Sequence, residues 1–312
     1  MASDAYDISK FGALLDAQFE YTGRRLATAS ADSAVRIWCT DRHEILSELR
    51  GGRAPVTTLS WGRGRSGTLL ATGASDGQVT IWREARPDFW QRVHDKHITG
   101  ATSAVAFSDA EHGCLLAVAG ADELGIVTML SARAAGPAGD QWQVTSFPAH
   151  EGGVVGLSWA PSTSAATLAT GPSVGRAQNH APRRFVTGGV DGSLYIWCAA
   201  GEKGDCWMKE CELADERAGT GALRDVAWRP NLGIPTSMIA SCTEEGVVCI
   251  WSQDVLGQPW YMRAQWTVAG DARRLTWSHA GMLLGVSVGD SDSLLFKDME
   301  SGPWERVHSF EE

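Results

Sequence analysis

Long apolar runs, clustered basic residues, metal-spaced cysteines and secretory marks are all missing from this 312-residue sequence. The longest stretch without a charge, Gly152 to Gly175, is broken by Ser, Thr, Gly and Pro, so no segment is suited to spanning a bilayer as a helix. Lys and Arg never run beyond the pairs Arg24-Arg25, Arg183-Arg184 and Arg273-Arg274, and 27 of them face 37 Asp and Glu for a formal net charge of −10. Such a field repels phosphate backbones, which argues against nucleic acid as a main ligand. The seven Cys include no Cys-x-x-Cys and the eight His no His-x-x-x-His, so neither a metal nor another cofactor is expected. An odd cysteine count, no Asn-x-Ser/Thr acceptor and no apolar leader after Met1 fit a reducing, cytosolic or nuclear-side compartment. Pro (11) and Tyr (4) are also scarce, whereas Gly (35) and Trp (14) are abundant.

What is there is a repeat. The segments LATASADSAVRIW (26–38), LLATGASDGQVTIW (69–82), RFVTGGVDGSLYIW (184–197) and MIASCTEEGVVCIW (238–251) share a small-residue run, an acidic turn and an alternating run ending in Ile-Trp. LLAVAGADELGIVTML (115–130) and LLGVSVGDSDSLLF (283–296) are degenerate copies. The ring positions are thus Trp38, Trp82, Leu130, Trp197, Trp251 and Phe296, spaced by 44 to 54 residues except for one interval of 67. A period of this length organises the fold before any local feature does.

Each copy is preceded by an apolar-aromatic run and followed, after a polar loop, by another that usually opens on Trp. Period-two alternation, β-branched enrichment and Gly/Asp/Ser punctuation make these strands, four per unit, called a to d. The tryptophans then sort. Trp61, Trp159, Trp228 and Trp277 lie on strand a; Trp38, Trp82, Trp197 and Trp251 close strand c; Trp90, Trp142, Trp207, Trp260 and Trp304 open strand d; Trp266 is left over. An indole recurring at one place in successive sheets fills the wedge between them.

Units of this size ending in Trp resemble WD-repeat β-propellers along the whole chain. The expected architecture is all-β: one domain, 1–312, of six four-stranded blades at 14–50, 55–96, 102–148, 150–214 with an insertion at 162–184, 221–268 and 271–311. The acidic residue six before the ring is Asp32, Asp76, Asp191, Glu245 and Asp290; the third unit has Leu124 there. In unit 4, His150, Thr187, Asp191 and Trp197 match the hydrogen-bonded chain that fixes the turn in typical WD blades, a structural role. The Asp that should follow each Trp is replaced by Cys39, Arg83, Cys198 and Ser252.

Three chemical motifs fail on context. GRGRSG (62–67) has the spacing of a dinucleotide loop, yet it leads into a strand and offers no helix N-terminus for a pyrophosphate. GASDG (73–77) and GPSVG (171–175) imitate a nucleophile elbow, but Ser75 lies in a strand-turn-strand hairpin and Ser173 in the polar insertion. No catalytic residue is expected.

The termini leave no strand over. Unit 1 has its own strand a near 14–21 and strand d near 44–50, unit 6 its own strand d at 304–310, and residues 1–13 add an edge strand at most. Six self-contained blades without a latch leave faces of blades 1 and 6 that packing alone must close, and an exposed apolar blade face invites an inserted partner sheet.

Within WD proteins, DAQFEYTGRRLATASADSAVRIW (16–38), RRFVTGGVDGSLYIW (183–197) and, above all, LRDVAWRPNLGIPTSMIASCTEEGVVCIW (223–251) resemble the small propeller of the outer COPII vesicle coat, also a component of the Y-shaped nuclear pore scaffold (the Sec-thirteen family). The resemblance implies a non-enzymatic scaffold that accepts a blade in trans from a large coat-rod protein or scaffold nucleoporin, with membrane contact only through the coat. It implies a cytoplasmic location at ER exit sites and COPII vesicles, and at nuclear pores. Unit 5 departs from the pattern by lacking the expected His before strand a. By position alone, the docking candidates are Leu26 and Trp38 of blade 1 and Trp277, Leu284 and Phe296 of blade 6. A related propeller confined to nuclear pores and a closed adaptor binding peptides on its top surface are the alternatives; a propeller enzyme finds no support in the spacing.

Overall fold

The computed structural model describes residues 10–64, 67–134, 140–162, 182–200, 206–215, 221–230, 236–289, 292–299 and 304–310. The chain divides into two compact units, Met1–Pro148 and Ala149–Glu312. The first holds three antiparallel sheets of four consecutive strands. Blade 1 is β1 (Leu14–Phe19), β2 (Arg25–Ser30), β3 (Ala34–Cys39) and β4 (Ile45–Arg50). Blade 2 is β5 (Val56–Gly64), β6 (Gly67–Ala74), β7 (Gln78–Arg86) and β8 (Phe89–His97). Blade 3 is β9 (Thr102–Phe107), β10 (Leu115–Gly120), β11 (Ile126–Ala134) and β12 (Asp140–Pro148).

The second unit repeats the plan. Blade 4 is β13 (Val154–Trp159), β14 (Arg184–Gly189), β15 (Leu194–Ala200) and β16 (Cys206–Leu213). Blade 5 is β17 (Leu223–Trp228), β18 (Ser237–Thr243), β19 (Val247–Gln253) and β20 (Tyr261–Thr267). Blade 6 is β21 (Ala272–Trp277), β22 (Leu283–Val288), β23 (Asp292–Lys297) and β24 (Glu305–Phe310). The fold class is therefore all-β, with six four-stranded WD-type blades.

Alternation gives each blade two apolar faces, and the structure orients them. Leu70, Trp82 and Trp90 of blade 2 share a core with Ala27, Ala29, Val35 and Ile37 of blade 1, while Val79 and Ile81 share another with Val105, Leu116, Val118 and Leu130 of blade 3. In the second unit, Trp228, Ile239 and Trp251 of blade 5 pack with Val186 and Ile196 of blade 4, and Ala240, Val248 and Ile250 with blade 6. At each of these junctions the ring face looks back to the preceding blade and the small-residue face looks forward. Trp266, unassigned by the repeat, lies 4.8 Å from the Phe296 ring at the blade 5–6 junction.

Polar residues on strand a add a second link. The unpaired edge of strand a carries N–H groups without a strand neighbour, and within each unit side chains of the preceding blade accept some of them. Asp16 Oδ2 accepts from Leu59 N (2.8 Å), Gln18 Oε1 from Trp61 N (2.8 Å), Ser60 Oγ from Phe107 N (2.9 Å), Ser158 Oγ from Trp228 N (2.9 Å) and Asp225 Oδ2 from Leu275 N (2.9 Å). The b–c turns close on glycines where a side chain has no room: Gly77 and Gly246 have φ of 86° and 81°, and a Cβ at either would strike carbonyls of the loop entering the next blade.

Phe11 lies in no strand; its ring packs on Trp38, with centroids 6.2 Å apart, and the Arg36 guanidinium lies 3.7 Å from its centroid, while residues 1–9 lie outside the described residues. One expectation changes. Blade 3 does have its acidic turn residue. Leu116 pairs with Leu130 as Leu26 pairs with Trp38, so counting six from strand b lands on Asp122, the counterpart of Asp32, in a turn that is two residues longer. Counting back from the ring had landed on Leu124. Gly62 to Gly64 of β5 pair with Gly67 to Leu69 of β6, and Ser75 lies in a strand-turn-strand link. Most of the 162–184 insertion with Ser173, Asp290, and the Gly233-Ile234-Pro235 part of the family-like loop lie outside the described residues.

Candidate functional site

Blade 4 brings His150, Thr187, Asp191 and Trp197 together. Trp197 Nε1 donates to Thr187 Oγ1 (2.9 Å), Thr187 Oγ1 and His150 Nε2 are 2.8 Å apart, and His150 Nδ1 and Asp191 Oδ1 3.2 Å apart. Asp191 Oδ1 also accepts from Ser193 N (2.9 Å), closing the turn. The partners settle the protons. A carboxylate only accepts, so Nδ1 carries the hydrogen; a neutral ring then offers Nε2 as acceptor, and the Thr187 hydroxyl donates to it. Burial holds the imidazole below its ordinary pKa, against the opposing pull of Asp191. The ring stacks on Tyr195 at 4.6 Å, and Lys209 Nζ lies 4.1 Å from the Tyr195 centroid.

Blades 1, 2 and 5 keep parts of this chain. Trp38 donates to Thr28 (2.9 Å), Trp82 to Thr72 (3.3 Å) and Trp251 to Ser241 (3.1 Å). In blade 1 the turn acid is held by arginine: Arg36 reaches Asp32 Oδ1 at 3.3 Å and Oδ2 at 2.6 Å, which keeps that carboxyl below its ordinary pKa. These residues fix turns. Among the described residues, no group of three or more His, Cys, Asp or Glu is placed to hold a metal ion, and no helix is long and apolar enough to cross a membrane.

The docking candidates separate into two sets. Trp277, Leu284 and Phe296 belong to the core that blade 6 shares with blade 5, and Trp277 Nε1 donates to Ala227 O of blade 5 (3.0 Å). Their ring face looks back, as at the other junctions, so they are already engaged by blade 5 and leave the docking set. Leu26 and Trp38 occupy the same backward face of blade 1, the first sheet among the described residues. Register extends them into a row across all four strands: Phe19 pairs with Leu26, Leu26 with Trp38 and Trp38 with Ile45. The two middle residues are buried, whereas the flanking Phe19 and Ile45 are 59% and 40% exposed. Leu14 and Leu15 of β1 are exposed as well. On blade 6, the forward-facing Leu283, Gly285, Ser287 and Leu295 are half-buried, where blade 1 has fully buried Ala27, Ala29 and Ile37. Sequence reading missed Phe19 and Ile45 because only pairing register places them beside Leu26 and Trp38.

Comparison with known proteins agrees with the repeat. The family model "WD domain, G-beta repeat" matches residues 10–39, 43–83 and 141–198. "Protein transport protein sec13" of Aspergillus fumigatus is 34% identical over 310 residues, covering 95% of each chain. "Protein transport protein SEC13" of Cryptococcus neoformans is 33% identical over 321 residues, covering 95% of this chain and 93% of that one. "Protein SEC13 homolog" of Drosophila melanogaster is 30% identical over 298 residues, covering 94% and 79%. A chain in the crystal structure of the mitotic checkpoint complex superimposes over 88% of this chain and 71% of its own with a TM-score of 0.64; at 16% identity that likeness concerns the fold alone.

Proposed function

The chain belongs to the Sec13 family of WD-repeat proteins, and from that premise we propose that it is a non-enzymatic scaffold of protein transport, a subunit of the outer COPII coat in ER-to-Golgi budding. In this reading it works in the cytoplasm at ER exit sites, touches membrane only through the coat, and receives an additional blade from a large rod-forming partner.

One observation carries the docking half of the reading: the row Phe19-Leu26-Trp38-Ile45 on the backward face of blade 1, with exposed apolar ends. At the junctions within each unit this face takes the neighbour's small-residue face, so the same chemistry suits strands supplied in trans. The exposed ends of the row, Phe19 and Ile45, are what such strands would bury.

Phe19→Asp combined with Ile45→Asp tests it, since both side chains are exposed and neither change disturbs a core. Copurification of a coat-rod fragment is expected to fall at least tenfold, because charge is placed in a desolvated apolar contact. Undiminished capture by a folded double variant would refute the docking face. Imaging tests the location: puncta at ER exit sites support the coat, and staining confined to the nuclear rim would assign the protein to the pore scaffold instead.

A further inference from the structure

The outer strand of each blade is the last of its sheet, so its far edge turns backbone N–H and C=O groups away from the sheet. Five of the six outer strands guard that edge. β4, β8, β16, β20 and β24 each pair with strand c through a register shift, at Ile37/Trp38, Ile81/Trp82, Ile196/Trp197, Ile250/Trp251 and Leu295/Phe296. Each also carries charge within the strand: Glu48 on β4, Arg92 on β8, Lys209 on β16, Arg263 on β20 and Arg306 on β24. Bulges and edge charges are the usual means by which a sheet avoids pairing with another chain.

Blade 3 uses neither. β12 pairs with β11 in nine consecutive steps, from Asp140 with Ala134 to Pro148 with Ile126, and without a register shift. After Asp140 the strand carries no charge, and its middle, Trp142 to Phe147, is β-branched, aromatic or neutral polar. Blades 2, 4 and 6 set Arg92, Lys209 and Arg306 opposite the ring position, whereas blade 3 sets Val144 opposite Leu130. Trp142 and Val144 pack toward blade 2 in the core that holds Val79 and Ile81, while Gln141, Gln143, Ser146 and Pro148 are exposed. Antiparallel pairing points the N–H and C=O of every second residue away from the neighbouring strand, so a straight strand of this length presents about four such residues in a row.

The charge around this neutral edge indicates what it takes. Residues 102–148 hold five acids, Asp109, Glu111, Asp122, Glu123 and Asp140, against one base, Arg133, a net charge of −4. Acids also stand at both ends of the edge: Asp140 opens β12, and the turn with Asp122 and the exposed Glu123 leads into Ile126, the partner of Pro148. Two copies of this blade set edge to edge would repel, whereas a basic segment is attracted. We propose that the outer edge of blade 3 is a docking site for an extended segment of a partner protein, with a neutral β-forming middle and a basic residue at each end, which joins the sheet as a fifth strand beside β12. Main-chain hydrogen bonds supply the attachment, and the lysines or arginines at the ends supply the choice of partner. The site shares no residue with the Phe19-Leu26-Trp38-Ile45 row of blade 1.

The probe is the blocked peptide acetyl-Lys-Thr-Val-Thr-Val-Thr-Val-Lys-amide, titrated at millimolar concentration into the full chain and followed by hydrogen exchange and the amide resonances of Gln143 to Phe147. Saturable binding that slows exchange in β12 is expected. The same peptide N-methylated at every central residue keeps its charge and side chains, loses its amide hydrogens and should not bind. A version with glutamate in place of both lysines should bind about tenfold or more weakly. On the protein, Gln143→Lys places a charge at an exposed edge position, and one glycine inserted between Val144 and Thr145 gives β12 a bulge; each should weaken binding about tenfold or more. Absence of saturation, equal affinity of the methylated or the glutamate peptide, or unchanged affinity in a folded Gln143→Lys variant would each overturn the proposal. So would a dimer of the full chain in sedimentation that Gln143→Lys dissociates, since the occupant would then be a second copy.

Discussion

Thr187→Val puts the blade 4 relay to a quantitative test. The change keeps the side chain's outline and removes one hydroxyl that serves two buried groups, Trp197 Nε1 at 2.9 Å and His150 Nε2 at 2.8 Å. Thr187 is 0% exposed, so water cannot replace it. Each stranded polar group costs about 1–3 kcal/mol, and the pair together roughly 2–4 kcal/mol. For a unit of this size that corresponds to a fall in Tm of about 5–15 °C. Thr72→Val in blade 2 is the internal control, because Thr72 Oγ1 serves Trp82 but no histidine; its cost should be about half. Urea unfolding gives the totals, and hydrogen exchange by mass spectrometry localises them. Faster exchange is expected in peptides covering β13 to β16, with those of β17 to β20 little changed. Equal costs for the two variants would refute the relay, since His150 would then draw nothing from Thr187.

The His150 relay also sets a pH dependence. A histidine held below its ordinary pKa of 6.5 stabilises the fold above that value, and the stability is lost as pH falls through the lowered folded pKa; unfolding midpoints measured from pH 7 to 5 should drop, and His150→Gln should flatten that slope. Leu284→Asp puts an unpaired charge in the blade 5–6 core, where Leu284 is 0% exposed; circular dichroism should report unfolding of the second unit, costing about 4 kcal/mol or more. Asp225→Ala strands the Leu275 and Val226 amides and should cost about 2–4 kcal/mol in urea unfolding. Asp122→Ala removes a carboxylate without partners and should leave the Tm unchanged or raise it.

Much of the fold was legible because each blade is local. Every strand pairs with its neighbours in sequence, so alternation and turn residues specified the sheets without long-range information. The His150 relay was legible for the same reason, its members lying within one unit. What alternation does not encode is direction. A strand with two apolar faces looks alike whichever neighbour each face meets, and so Trp277, Leu284 and Phe296 read as candidates for a free face until their contacts with blade 5 fixed their orientation. Asp122 was hidden by a turn two residues longer than its counterparts, which breaks any count made from the ring. Phe11 stood outside the repeat, and its fit against Trp38 and Arg36 depends on tertiary position alone.

The backward look of the ring face bears on how the molecule is made. A blade leaving the ribosome presents its indole to a sheet already synthesised, so each new unit buries its largest side chains as soon as its own four strands exist, without waiting for later sequence. Nascent blades two, three, five and six need hold little apolar surface exposed for long. The cost of that order falls on synthesis itself: a blade whose predecessor is delayed or misfolded must hold its indole in water until the earlier sheet is ready.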